Sequence, residues 1–230
     1  MQAFHWLNED MTAGSGSEPP WTVGETRTIE GELKLCERGY HSSPSLRDAL
    51  AYSSGPVACF VEVSDPVASE VEPHQAKQVS HSRTLLKAVN VERELRLWGC
   101  DCAERALLRE RERGHEPDPR SWAAIAVARR YADGEASTVE LAAAGAAARA
   151  AARDAARDAA WAAAWAAAWH AARDAARAAA RDAAWDAEIE WQRQRFDELV
   201  LSKLLAGQVH QGQERAPGAL APRGVSPCRC

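Results

Sequence analysis

AAAGAAARAAARDAARDAAWAAAWAAAWHAARDAARAAARDAAWDA, residues 142–187 of the 230-residue chain, holds 29 alanines among its 46 residues. Alanine has the highest helix propensity of all residues, and neither glycine nor proline occurs between Gly145 and Gly207. The sequence therefore predicts helix throughout this region. One unbroken helix over 138–205 would be about 100 Å long. The recurring Arg-Asp pairs could instead end one helix and begin the next, so a long helix and a folded-back bundle both remain open.

Large residues recur every fourth position in this tract, among them Trp161, Trp165 and Trp169. Four residues turn a helix by about 400°, so each step drifts by roughly 40° and the three rings form one patch. Each tryptophan ring can bury about 150–250 Å². We expect burial of these rings against other helices, within the chain or across a homo-oligomer interface. The alternative is an aromatic and arginine surface that stacks a base or a peptide.

The first 90 residues follow a different pattern. VACFVEV, residues 57–63, is an apolar run of strand length between Gly-Pro and Asp-Pro, and it predicts a buried strand. Shorter elements are predicted around it: a strand at 3–7, a hairpin over 25–35 with its turn near Glu30-Gly31, a helix over 43–52 and one more strand within 78–89.

From Val91 onward the apolar residues follow a helical period. A first helix should end near 113–114, a second should span 121–132, and a third should open at Ser137, which stands three residues before Glu140 as in a capping box. The predicted fold class is α+β. A small β-rich domain that binds a ligand or a partner (1–90) precedes an Ala/Trp-rich all-helical domain (91–206), and composition predicts a disordered tail (207–230).

Charge and hydropathy exclude several classes of partner. The net charge is −5; residues before Asn90 hold 7 basic and 12 acidic side chains, and the rest hold 21 of each. No broad basic surface follows, so nucleic-acid binding is not expected. The first residues lack the basic start and apolar run of a signal peptide, and no window of 18 apolar residues is free of charge. We expect a cytoplasmic protein with no membrane partner.

The six cysteines do not form a metal motif. Cys59 lies in the apolar run and is predicted to be core. Cys100 and Cys102 stand two apart on a helix, where side chains point roughly 200° apart and cannot easily share an ion. No metal and no cofactor is expected from the residues themselves.

Two resemblances to known families follow from longer motifs. The first part of the chain resembles an N-terminal domain of unknown function found in many phage and bacterial proteins. The motifs that carry this resemblance are W-x-V-G-E-T at 21–26, L-C-x-R-G-Y-H at 35–41 and D-A-L-x-Y at 48–52. The helical part is similar to a helical domain of immunity proteins from polymorphic toxin systems. The similar stretches are L-W-G-C-D-C-A-E-R at 97–105 and W-A-A-I-A-V-A-R-R-Y-A-D-G-E at 122–135.

A third resemblance concerns candidate site residues. The chain is similar to diphtheria-toxin-type ADP-ribosyltransferases in the order of three features. These are His5, the motif G-Y-H-S-S-x-S-x-x-D-A-L-A-Y-S at 39–53, and a V-x-V strand. That resemblance implies NAD as the ligand, with His5 at the ribose-binding histidine and Tyr52 at one of two nicotinamide-stacking tyrosines. His41 stands where the other tyrosine would be, and no glutamate lies on a late strand; Glu92 is the nearest in order.

His5, His41 and Tyr52 are accordingly predicted to converge and bind a ligand, and no catalytic residue is assigned. The function predicted first is a non-enzymatic binding protein of phage or bacterial-conflict type that neutralises a toxin or an anti-phage defence component. Its partner would be a protein or a small nucleotide signal that it sequesters. The alternatives are an ADP-ribosyltransferase-like enzyme using NAD and a structural phage or filament component.

Overall fold

The computed structural model of this protein describes residues 1–14, 18–68, 76–166 and 186–206, with side chains of 155–166 left out. The chain divides into two compact units. The first unit is Met1–Glu92 together with Leu201–Cys230, and the second unit is Arg93–Val200. Trp169 and the predicted disordered tail lie outside the described residues. The domain boundaries that the sequence suggested, at 90 and 206, stay predictions.

The first unit is built from two antiparallel sheets and one short helix. Its elements are β1 (Gln2–Leu7), β2 (Thr26–Thr28), β3 (Tyr40–Ser42), α1 (Leu46–Leu50), β4 (Val57–Ser64), β5 (Val67–Ala68), β6 (Gln78–Ser80) and β7 (Ser82–Asn90). One sheet has the strand order β1-β4-β7-β2, and the other has the order β3-β6-β5. An isolated bridge between Phe4 and Ser43 joins β1 to the chain just after β3.

The main apolar cluster of the first unit lies on one face of the four-stranded sheet, and Trp6 and Ala58 on the other face are also buried. Alternate residues of a strand point to opposite faces. In β4, which lies between β1 and β7, this places Val57, Cys59, Val61 and Val63 on one side, all buried. Ala3, Leu7, Leu85, Ala88 and Trp21 complete the cluster. The predictions of a strand at 57–63 and of a core position for Cys59 are confirmed.

Two predictions of strand layout in the first unit are wrong. Residues 25–35 form no hairpin, because β2 pairs with β7 instead, with Thr26 opposite Thr84. The chain turns away at Gly31, whose φ of +92° suits glycine, and Lys34 then bridges to Arg38. Residues 78–89 contain two strands rather than one, since the chain passes from one sheet to the other at His81.

A short C-terminal helix also belongs to the first unit. This helix, α6 (Ser202–Ala206), packs against β7 and β4. Leu204 is fully buried there, and Lys87 Nζ donates a hydrogen bond of 2.7 Å to the Leu205 carbonyl. The last described residues therefore contribute to the fold of the first unit.

The second unit is helical, and its ends follow local rules. Its elements are α2 (Glu92–Glu112), α3 (Pro119–Ala132), α4 (Thr138–Ala166), α5 (residues 186–196) and a π-helical segment, Asp197–Leu201. Gly114 and Gly134 follow α2 and α3 with φ of +86° and +78°, as C-terminal glycines do. The predicted capping box is present, because Ser137 Oγ accepts from the Glu140 N–H while Glu140 Oε2 accepts from the Ser137 N–H.

The helices of the second unit form a bundle rather than one long rod. α3 packs along α4, while Gly145 of α4 lines the same cleft as Gly99 of α2. α5 also meets α2, since the Trp98 indole N–H donates to the Gln192 carbonyl at 3.0 Å. In one straight helix Gly145 and Gln192 would be about 70 Å apart, farther than the length of α2. The predicted α+β class, a region of antiparallel sheet followed by a helical region, is confirmed.

Partly buried ion pairs connect the helices of the second unit. Asp101 accepts from Arg129 and from Arg195, each at 2.7 Å. Glu188 binds Arg105 at 2.8 Å and also contacts Arg109. Burial opposes ionisation of Glu188, but hydrogen bonds from Arg105 and Gln192 still lower the pKa of its carboxyl.

Among the described helices, none combines the length and apolar character that crossing a bilayer requires.

Phe196 is the side chain on which the α2–α5 contact depends most. It is fully buried, and its ring meets Trp98 edge-on with centroids 5.3 Å apart. Phe196→Ala should lower the free energy of unfolding of the second unit by about 3–5 kcal/mol, through lost burial and the cavity left behind. Urea denaturation followed by far-UV circular dichroism measures it. Val139→Ala, at a position 76% exposed, is the control and should change it by less than about 0.5 kcal/mol.

Candidate functional site

His5 lies in the middle of β1, opposite Cys59 of β4, on the face that carries the core. Its Nε2 is inaccessible to solvent and has no hydrogen-bond partner among the described residues. Burial holds the pKa of His5 well below its usual range, and the charge of Arg83 lowers it further. At neutral pH the ring is therefore an uncharged hydrogen-bonding group with an unsatisfied nitrogen.

His41 lies on β3 and is also neutral. Its Nε2 accepts a hydrogen bond of 2.8 Å from the backbone N–H of Cys36. Burial, followed by the charges of Lys77 and Arg83, lowers the pKa of His41 to about 4. A hydrogen bond with the His41 backbone also acts on the pKa of His5. The two histidines are thus neighbours, as their predicted convergence requires.

Tyr52 follows α1 and connects to the histidines through Lys77. The Lys77 ammonium lies 4.2 Å from the centre of the Tyr52 ring, within cation–π range, and donates to Cys36 Sγ at 3.4 Å. Contacts therefore run from Tyr52 through Lys77 and Cys36 to His41. We call His5, Cys36, His41, Tyr52 and Lys77 the histidine cluster. The structure brings the three predicted residues together, and their ligand-binding role stays a prediction.

Arg83, which the sequence analysis missed, lies beside the histidine cluster. It is only 3% exposed, and its Nη1 donates to the His41 carbonyl at 3.0 Å. Its guanidinium carbon lies 4.4 Å from the Trp21 ring centre and 5.3 Å from that of Tyr40. Burial lowers the pKa of Arg83 to about 10, so it remains a cation at neutral pH.

A β-bulge explains both the position of Arg83 and why it was missed. Cys59 pairs with Ala88, but Val61 pairs with Leu85, so one residue of β7 is skipped between them. Simple alternation from Ala88 would point Leu86 and Thr84 at the core. The extra residue instead directs Leu85 and Arg83 inward. In the sequence, Arg83 stands two residues from the apolar Leu85, so the two share a face of β7. The sequence does not show that Leu85 rather than Leu86 faces the core.

Arg27 offers an instructive contrast with Arg83. The two residues are direct partners in the β2–β7 pairing, and Arg27 also stacks on Trp21, at 4.1 Å. Arg27 Nε binds Glu25 at 2.6 Å, and its Nη1 lies 3.6 Å from Glu18. Within the described ranges, no carboxylate oxygen comes within 4.0 Å of Arg83. Two neighbouring arginines thus share one tryptophan; Arg27 forms ion pairs with Glu25 and Glu18, whereas the charge of Glu18 acts on Arg83 from beyond ion-pair distance.

The second unit contains a separate apolar cleft of about 430 Å³ between α2, α3 and α4. Small and aliphatic residues line most of it, including Gly99, Ala103, Leu107, Ile125, Ala128 and Gly145. Such walls admit apolar side chains at close range. Further along α4, Trp161 and Trp165 lie on helical backbone, but their side chains are outside the described residues.

Two other features bear on chemistry. Glu92, the nearest candidate for the transferase glutamate, is the first residue of α2 and does not lie on a strand. Within the described parts of the chain, no three His, Cys, Asp or Glu side chains are grouped as a metal site would need.

Comparison with family models identifies a match in each part of the chain. Residues 1–97 match a family described as "Domain of unknown function (DUF7666)". Residues 87–185 match "Imm-5 like putative immunity protein". The two matches cover successive parts of the chain, each less than half of its length, and overlap at residues 87–97. The matches confirm the first two resemblances, whereas no similarity to ADP-ribosyltransferases is shown. No curated protein and no solved structure matches the chain.

The two candidate sites fall under different matches. The histidine cluster and Arg83 lie within residues 1–97, which match the domain of unknown function, and the apolar cleft lies within residues 87–185, which match the Imm-5-like family. An immunity-like domain fits a role in biological conflict, with a toxin as its protein partner.

The neutral histidines predict a pH dependence of the first unit. The pKa of His41 is about 4 in the fold against an ordinary 6.5, so the unfolded chain binds more protons between these values. Above pH 6.5 the neutral His41 makes its full contribution to the free energy of unfolding, and this contribution declines as the pH falls toward 4. Allowing for partial exposure of His41, we expect a loss of about 1 kcal/mol between pH 7 and pH 5, to which His5 adds.

Hydrogen exchange of the β1 and β4 amides, corrected for intrinsic rates, measures this loss. His41→Gln keeps an acceptor for the Cys36 N–H but cannot titrate, so it should reduce the pH dependence. His115→Gln, at an exposed position of the second unit, is the matched control and should leave it unchanged. An equal pH dependence in wild type and His41→Gln would show that His41 does not contribute.

Proposed function

We propose that this protein is a non-enzymatic binding protein of phage or bacterial-conflict type that neutralises a toxin or a defence component. The observation that carries the proposal is the Imm-5-like match over residues 87–185. Neutralisation by an immunity protein requires a surface that fits its partner. The cleft between α2, α3 and α4 lies within that match and supplies a concave apolar surface.

Recognition at the cleft would depend on apolar fit rather than on charge. Charged side chains of the second unit already bind one another, as Arg129 binds Asp101 and Arg93 binds Asp133 at 2.7 Å. Their pairing leaves little charge for steering a partner. The small residues of the cleft wall let an apolar side chain or helix face of the toxin approach closely, and buried apolar anchors dominate protein interfaces.

The first unit would supply a second binding function. The neutral His5 ring, whose Nε2 has no partner among the described residues, would hydrogen-bond a polar ligand. His41, whose Nε2 already accepts from the Cys36 N–H, would line the site, and the Tyr52 ring would stack on a base. A nucleotide signal has both features. The first unit would then sequester such a signal, in line with the conflict role proposed for the chain.

Growth rescue tests the immunity role. Cells producing individual bacterial toxin domains are grown with and without this protein, and complexes are isolated from rescued cells. We expect rescue from at least one toxin and a stable complex with it. Ala128→Trp fills the cleft and should weaken that complex more than 10-fold, since an occupied cleft cannot accept an apolar anchor.

Ala126→Trp is the matched control, because it makes the same change on the exposed side of α3 and should leave affinity within about twofold. Equal weakening by both variants would exclude the cleft as the toxin-binding surface. Absence of rescue and of any complex across the toxins tested would contradict the immunity role itself.

The tryptophan patch of Trp161, Trp165 and Trp169 is proposed as a partner-binding or homo-oligomer surface. Changing all three to alanine should lower the melting temperature or reduce the assembly mass, because their apolar area would no longer be buried. Light scattering coupled to size exclusion, with thermal melting, measures both. Unchanged mass and melting with loss of toxin rescue would assign the patch to the partner. No change in mass, melting or rescue would rule out both roles.

A further inference from the structure

We propose that the first unit binds a phosphate group through Arg83 and Lys77, with the histidine cluster completing the site. This inference deepens the ligand-binding role proposed for the first unit and rests on it. It specifies the ligand class as a phosphate-bearing anion.

The first argument is that Arg83 forms no ion pair with the described residues. A buried cation without an ionic partner is costly, and proteins normally pair such groups or leave them exposed. The His41 carbonyl and the faces of Trp21 and Tyr40 stabilise the guanidinium, but none of them carries a net negative charge. The charge of Glu18 favours the cation from beyond ion-pair distance, and an anionic ligand would add the closer neutralisation that the described residues do not provide.

The second argument is the arrangement of nearby charge. Glu18 and Glu25, the carboxylates of this region, are engaged by Arg27. Glu18 also accepts a hydrogen bond of 3.2 Å from the Trp21 indole. On the other side Lys77 and Arg83 both act electrostatically on His5 and His41. A local positive field therefore exists inside a unit whose overall charge is negative.

The third argument is the continuity of the polar contacts from surface to interior. Cys36 is exposed, and its N–H binds His41, whose carbonyl accepts from buried Arg83. Lys77 is half-buried beside Cys36 and Tyr52. An anion held by Lys77 would thus lie within a few side chains of the buried guanidinium and of the unsatisfied Nε2 of His5.

Phosphate fits this set of groups better than a carboxylate. A phosphate dianion carries two negative charges, which the Lys77 ammonium and the nearby buried Arg83 guanidinium can both stabilise, whereas a carboxylate carries one. The ring of Tyr52 would then be close enough to contact a base attached to the phosphate. Free phosphate and a nucleotide phosphate share this chemistry, so the experiment must separate them.

Isothermal titration of the full chain with inorganic phosphate, pyrophosphate, ADP and adenosine tests the proposal. We expect binding of at least one phosphate-bearing probe and none of adenosine alone. Arg83→Met should weaken that binding more than 10-fold, and Lys77→Gln should weaken it several-fold. Arg27→Met is the matched control, because Arg27 stacks on the same tryptophan but is already paired, and it should change affinity less than twofold.

Thermal melting separates binding from folding. Without ligand, Arg83→Met should melt at or above the wild-type temperature, because it removes an uncompensated charge, and phosphate-bearing probes should no longer raise its melting temperature. If that variant fails to fold, Lys77→Gln at the half-buried edge still tests the site. Binding of no phosphate-bearing probe by the folded wild type, or unchanged affinity in Lys77→Gln, would overturn the proposal.

The outcomes for the two proposals remain distinct. Toxin rescue that persists in Arg83→Met while the wild type binds no phosphate would reject only the anion site. Equal affinity for pyrophosphate and ADP would keep the anion site but remove the contribution of a base. Tight phosphate binding without rescue from any toxin would reject the immunity role and leave the anion site standing.

Discussion

The pairing register of β4 with β1 and β7 is the constraint on which the first unit depends. β4 places four apolar residues on one face, and the partners of that strand must present matching faces. A slip of one residue in β1 would move His5 to the opposite face. The bulge in β7 performs the complementary adjustment, since it directs Arg83 to the core side while leaving Leu86 at the surface. The candidate site is thus a product of strand register.

The two units handle charge differently. In the second unit, the partly buried carboxylates Asp101 and Glu188 each contact two arginines, so helix contacts and charge neutralisation coincide. In the first unit, Arg27 is paired twice, while Arg83 is stacked and forms no ion pair with the described residues. Adjacent arginines on one tryptophan thus differ in how their charge is compensated.

The part of the chain that matches a domain of unknown function and the part that matches the Imm-5-like family carry surfaces of different chemistry. One is polar and cationic, formed where two small sheets meet. The other is an apolar cleft between helices with small side chains. A protein that acts in biological conflict could use the second for a toxin and the first for a small anion, and the matched variants affect each surface separately.

Local chemistry made much of the fold predictable. Short-range hydrogen bonds and backbone preference determine the helices and their ends. They act through the alanine content, the pair of Ser137 and Glu140, and the glycines after α2 and α3. The apolar run at 57–63 determines a strand for the same reason, because seven residues suffice to define it. His5, His41 and Tyr52 could be proposed as neighbours only from a resemblance in the order of residues, which no short-range rule provides.

Tertiary structure alone decided the rest. The partner of β2, the return of α6 to the first sheet and the return of α5 to α2 join residues far apart in sequence, where local propensity carries no information. Arg83 reaches the interior only because one residue of β7 is skipped opposite β4, and a bulge depends on the partner strand as much as on its own sequence. A single displaced residue therefore separates an apparently ordinary surface arginine from a buried cation beside two neutral histidines.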